Sequence, residues 1–100
     1  SPRVKKRVWD RDGHCCILCG NPQAWPNAHY IPRSQGGLGI PQNIVTLCAR
    51  CHYDYDNGGK REEYGQMIWA YLKGWYPKLE RKDMIYDKWD WTEEVNDFGG

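Results

Sequence analysis

Apolar residues come in short bursts separated by turn residues, and the spacing within each burst predicts a different element. Near the start, Val4 and Val8 stand four apart among Arg3, Lys5, Lys6 and Arg7, the pattern of one helix face. Ser1 and Pro2 supply an N-cap and a first-turn proline, and Gly13 a stop, so a short basic helix is expected there. Trp25 to Ile31, punctuated by Pro26 and Pro32, reads as a strand. Gly36-Gly37-Leu38-Gly39 reads as a loop, and Ile44-Val45-Thr46-Leu47 as a second strand. A helix is expected from about Arg50 to Asp56, stopped by Asn57-Gly58-Gly59. The order from Trp25 to Asn57 is therefore strand, loop, strand, helix. A longer helix begins near Lys60, with Glu62 and Glu63 in its first turn, where the helix dipole favours acids. Its Tyr64, Met67, Ile68, Tyr71, Leu72 and Trp75 recur at the spacing of one helical face and read as core or packing surface. Gly74 and Pro77 end it, and Glu80 to Trp89 predicts another short helix.

Composition changes this picture in one respect. Leu, Ile, Val and Phe supply only 16 of 100 positions, while six Trp and seven Tyr carry much of the burial. Net charge is +1, too small to point to disorder, so the chain reads as folded but poor in core and in need of a staple. It opens at Ser1 without Met, as a trimmed chain would. No apolar run approaches the roughly 20 residues of a membrane span, no apolar signal core sits near the start, and no repeat is visible. Charge is uneven: residues 1–82 hold 13 Lys/Arg against 7 Asp/Glu, and residues 83–100 hold 1 against 6. A basic body suits a polyanion such as nucleic acid, although two solvated faces would look the same.

The staple is legible in the cysteines. Cys16/Cys19 and Cys48/Cys51 are two Cys-x-x-Cys pairs separated by 28 residues. Each spacing lets a tight knuckle aim two sulfurs at one ion, and two knuckles complete the closed tetrahedron of a structural zinc site. An odd cysteine count and the absence of a signal argue against a disulfide framework, and Cys15 is left over. Metal binding would then stand in for the aliphatic core that the chain lacks.

Three histidines are present: His14, His29 and His52. His52 follows Cys51, His29 lies in the first strand, and Asn43 opens the second. A hairpin followed by a helix would bring His29, Asn43, His52 and Asp56 to one side of the zinc knot. That set offers a base, an orienting amide and ligands for a divalent ion, the needs of metal-assisted hydrolysis. His14, beside the first knuckle, reads as a surface or supporting residue.

At this point the chain resembles the HNH endonucleases of the ββα-metal (His-Me finger) group, in their four-cysteine zinc version. The likeness rests on Ala28-His29-Tyr30-Ile31-Pro32-Arg33-Ser34-Gln35-Gly36-Gly37 and on Asn43-Ile44-Val45-Thr46-Leu47-Cys48-Ala49-Arg50-Cys51-His52, with Arg11-Asp12-Gly13 leading in. It covers roughly residues 3–57, with a weaker echo to 89. It implies an α+β fold, a hairpin and helix stapled by zinc with flanking helices, over residues 1–89, followed by an acidic, flexible tail over residues 90–100. It also implies an enzyme that hydrolyses DNA phosphodiester bonds and leaves a 5′-phosphate and a 3′-hydroxyl. His29 would be the general base, Asn43 would orient it through the hairpin, and His52 would ligate a catalytic Mg²⁺, Mn²⁺, Ni²⁺ or Zn²⁺. The family usually carries Asp, Glu or His before the base as a second ligand, where this chain has Ala28. Asp56, one helix turn beyond His52, is the favoured substitute, against its reading as a helix-end carboxylate. A shifted register would make His29 the ligand and put Tyr30 at the base position. Arg3, Lys5, Lys6, Arg7, Arg11 and Arg33 are the expected phosphate contacts. The likeness to small phage members implies a cytoplasmic setting and work beside the DNA-packaging terminase. A zinc module that binds nucleic acid without cutting it is the rival reading, and a docking domain using the aromatic stripe is a third.

Overall fold

The computed structural model describes residues 1–86. Helix α1 spans Pro2–Arg11, and the Ser1 hydroxyl accepts a hydrogen bond from the Val4 amide at 3.3 Å, the cap that the sequence predicts. Val8 is its one fully buried residue. Strands β1 (Ala24–His29) and β2 (Ile44–Cys48) pair antiparallel, and α2 (Ala49–Asp56) and α3 (Arg61–Trp75) follow. Every residue of β2 is buried, so this strand is the centre of the molecule, with α1 and α2 both packed on the hairpin. The result is a small α+β domain, a hairpin followed by a helix with flanking helices, in the order expected from the sequence.

The hairpin is not regular. Trp25 opposes Leu47 and Ala28 opposes Val45, so β1 holds one residue more than β2 across this stretch. Pro26 lies there and cannot donate to the ladder, which is where bulges settle. The bulge resets the alternation so that Ala28 is buried in the core while its neighbour His29 is only half-buried.

The link between the strands is held by its own backbone. Gly37 is required, since a Cβ there would fall 1.7 Å from the Ile31 carbonyl oxygen. Leu38 donates to the Met84 carbonyl and Tyr86 to the Gly36 carbonyl, at 2.9 and 2.8 Å, so the chain end described here pairs with this link. That pairing explains a difference from the sequence reading. Instead of a helix over Glu80 to Trp89, a 3-10 turn over Arg81–Met84 gives way to extended backbone. Residues 87–89, with the proposed tail over 90–100, lie outside the described residues. The stripe on α3 is also narrower than expected. Ile68 and Leu72 are fully buried and Tyr64 and Tyr71 pack at the core edge, but Met67 and Trp75 are exposed by about half. The side of α3 carrying Trp69 turns inward instead and rests on Tyr30.

Candidate metal centre and catalytic cleft

The sulfurs of Cys16, Cys19, Cys48 and Cys51 lie within 4.8 Å of one another. Cys19 Sγ and Cys48 Sγ are 3.6 Å apart, against about 3.8 Å for two thiolates on one tetrahedral zinc. Local geometry builds the cluster. Gly20, at φ +81°, turns the first knuckle back so that its amide donates to the Cys16 carbonyl at 2.8 Å. Cys48 caps α2 with its sulfur accepting from the Cys51 amide at 3.5 Å. The Ile17 amide donates to the Thr46 carbonyl at 3.0 Å, tying the first knuckle to β2. Cys15 stands outside, its thiol near the Asp12 carbonyl. Four soft donors in a closed, mostly buried set form a structural metal centre suited to zinc.

A cleft of about 380 Å³ is lined by His29, Arg33, His52 and Asp56, together with Asn27, Pro32, Ser34 and Arg61. The sequence singles out the first four of these as site residues. Among the described residues, His29 Nε2 is buried and has no hydrogen-bond partner. Burial is the main influence holding this imidazole below its ordinary pKa. The nearby Asn27 backbone works against it, the positive fields of Arg33 and His52 add to it, and Asp56 opposes it. The ring is thus held neutral, the form that accepts a proton.

His52 and Asp56 project from one face of α2, with Nε2 and Oδ2 3.0 Å apart. The other Asp56 oxygen faces the Arg61 guanidinium at 3.6 Å. Two donors on one helix face fit a divalent ion that keeps most of its water shell. They do not form a three-donor cage, and among the described residues the four cysteines form the one such cluster. Ala28 contributes nothing here because its methyl is packed in the core.

Two sequence expectations change. Asn43 is fully buried, and its side chain is consumed by the strand link: Oδ1 accepts from the Ile31 amide at 2.9 Å, and Nδ2 donates to the Ile31 and Leu38 carbonyls at 3.1 and 2.9 Å. Its influence on His29 runs through the backbone of this link. Arg11 is not a phosphate contact. It pairs with Asp12 at 2.7 Å and donates to the carbonyls of Pro41 and Ile44 at 2.6 and 2.7 Å, with its side chain 8% exposed. Asp12 in turn accepts from the Thr46 amide and the Tyr71 hydroxyl, at 2.8 and 2.7 Å. The pair is an internal clasp joining α1, β2 and α3. Arg3, Lys5 and Arg7 are exposed, Lys6 is exposed with Asp10 at 3.0 Å, and His14 stacks on Trp9 at the surface.

Besides Asn27, sequence reasoning missed Arg61. It opens α3 and returns to the cleft, where its guanidinium lies 4.2 Å from the centre of the Tyr55 ring. The Tyr55 hydroxyl, pushed up to about 12 by burial, stays protonated and donates to the Tyr30 carbonyl at 2.7 Å. Only the Asn57-Gly58-Gly59 turn, which reverses the chain between α2 and α3, hinted that a cation at the start of α3 would return to this point.

A hairpin, a following helix and a four-cysteine centre carried by two knuckles define a ββα-metal domain, and the chain belongs to the HNH endonuclease family. The model of the HNH endonuclease family matches residues 16–58, which hold the whole centre and every cleft residue except Arg61. The chain is also similar to Anaredoxin from Nostoc sp., 35% identical over 57 residues that make up 56% of this chain and 75% of that protein. No helix among the described residues is long and apolar enough to cross a membrane.

Proposed function

We propose that this protein is a metal-dependent endonuclease that hydrolyses DNA phosphodiester bonds. The observation that carries this reading is the buried, unpartnered Nε2 of His29 in a cleft shared with His52, Asp56 and two arginines. A buried lone pair without a partner costs about 1–3 kcal/mol, a cost that a role in proton transfer accounts for. His29 takes a proton from the water whose oxygen attacks phosphorus. The bond from phosphorus to the 3′ oxygen breaks, that oxygen takes up a proton, and the products are a 5′-phosphate and a 3′-hydroxyl. Arg33 and Arg61 hold non-bridging phosphate oxygens, as guanidinium groups do well. His52 and Asp56 would hold a divalent cation, which when bound supplies positive charge to the phosphate and to the departing oxygen. The exposed Arg3, Lys5, Lys6 and Arg7 extend the phosphate contacts along α1.

A second reading, a zinc-stabilised module that binds nucleic acid without cutting it, is favoured by the core-packed Ala28 and by Arg61 already paired with Asp56. Supercoiled plasmid incubated with added Mg²⁺, Mn²⁺ or Ni²⁺ separates the two. Nicked or linear product that is absent for His29→Ala supports the nuclease. Plasmid retarded on the gel but intact under every ion supports the binding module.

A further inference from the structure

A second cleft of about 380 Å³ adjoins the first and shares Pro32 and Arg61 with it. Its inner wall comes from the hairpin–helix core, through Tyr30 and Tyr55. Its outer wall comes from α3, through Gly65, Gln66 and Trp69, which lie beyond the residues that match the family model. The volume falls near the small end of the roughly 300–1,000 Å³ of ligand pockets. We propose that this cleft holds one unpaired nucleotide of a DNA strand, next to the phosphate being cut. The proposal rests on the nuclease reading for that second clause alone.

Three features fix the class of ligand. First, Arg61 borders both clefts, with its guanidinium carbon 4.2 Å from the centre of the Tyr55 ring, one terminal nitrogen donating to the Tyr30 carbonyl at 3.4 Å and the other 3.6 Å from Asp56. In the proposal its planar guanidinium stacks on a base, and the edge that faces Asp56 turns to the neighbouring phosphate. Trp69 is a wall and not a platform, because Tyr30 is stacked on it and the Lys73 ammonium lies 5.7 Å from its centroid. Second, Gln35 and Gln66 line the cleft with amides, which both donate and accept and so match the edge of a base. Third, Arg81 joins Arg61 in the lining against a single carboxylate, Glu62, so the cleft is net positive and suits the phosphate of the same nucleotide. A paired base has its hydrogen-bonding edge covered by its partner. An unpaired one can enter a concave site of this size.

The site has a natural plug. A Cβ at Gly65 would meet Tyr55 at an ordinary 3.6 Å, and a non-glycine residue inside a helix is favoured by up to about 1 kcal/mol. Gly65→Leu should therefore fold and fill the cleft, with Gly65→Ala as a milder form and Gln66→Ala as a test of the amide edge. The measurement is binding of fluorescein-labelled single-stranded and fully paired oligonucleotides of the same sequence, without added divalent ion, after thermal melts confirm folding. The parent protein should prefer the single strand, and Gly65→Leu should lose about tenfold on it with duplex binding unchanged. No preference in the parent, or a folded Gly65→Leu that binds the single strand as the parent does, overturns the proposal. Because binding is read without cleavage, failure of the nuclease reading leaves a different trace. The single-strand preference and its loss in Gly65→Leu would persist in a protein that cuts nothing.

Discussion

His29 and His52 lie in one cleft yet should fail differently when replaced. In the proposed mechanism His29→Ala removes the proton acceptor and leaves the other cleft residues, so DNA binding should persist while cleavage falls by roughly 10²–10⁴-fold. His52→Ala and Asp56→Ala each remove a proposed cation donor, so their defects should soften as the ion concentration rises. A metal titration of cleavage rate for the three variants checks this, and equal rates for His29→Ala and the parent would remove the mechanism. The pH profile follows from the depressed imidazole. As the proposed base, His29 acts in its neutral form, so the acid limb should fall below the ordinary histidine value of about 6.5. Arg33 adds a positive field that disfavours protonation, so Arg33→Ala should move that limb to higher pH, read in kcat so that weaker binding does not mask it.

The elements are joined by clasps that no local propensity contains. Arg11→Ala would leave the buried Asp12 carboxylate without its cation, a loss of about 3–5 kcal/mol for a broken buried pair. Denaturant titration should show that loss, and in the folded fraction DNA binding should be unaffected, which separates Arg11 from exposed Arg7. Gly37→Ala forces a methyl into the Ile31 carbonyl. It should cost roughly 1–3 kcal/mol as the link shifts and should reduce cleavage, because the same link follows directly from His29. Asn43→Ala breaks the link from the other side and should lower both stability and rate, where a residue acting on the imidazole alone would lower only the rate.

For the whole molecule, two properties dominate, the metal staple and the charge. Removing one ligand, as in Cys48→Ser, should abolish metal retention and unfold much of the chain, because so few aliphatic residues form the core. Elemental analysis and circular dichroism of the purified variant test it, and a folded, metal-free protein would be the contrary result. Residues 90–100 carry four acids and no Lys or Arg. Their removal should leave cleavage intact and tighten DNA binding at low salt, with the gain fading as salt screens the repulsion.

Local chemistry decided what the sequence could decide. The Cys-x-x-Cys knuckles, the Ser1-Pro2 cap, the Asn57-Gly58-Gly59 stop and the short apolar bursts each act within a few residues, so the metal centre and the elements through α3 were legible in order, whereas Gly74, read as a stop, lies inside α3 and a 3-10 turn stands where a helix from Glu80 was expected. His29, His52, Arg33 and Asp56 could be placed together because the knuckle and the hairpin leave little freedom between them. What depended on distant partners was not legible. Arg11 looks like its basic neighbours until Asp12, Pro41, Ile44 and Tyr76 close around it. Asn43 is read as a catalytic orienter until its amide is found spent on Ile31 and Leu38. Met67 and Trp75 fit the helical stripe, but the core meets α3 on the Ile68–Leu72 line and on the flank carrying Trp69. Arg61 becomes a cleft residue only because the turn after α2 folds α3 back onto Tyr55 and Asp56. Periodicity tells which residues share a face, and only the packed chain determines what that face meets.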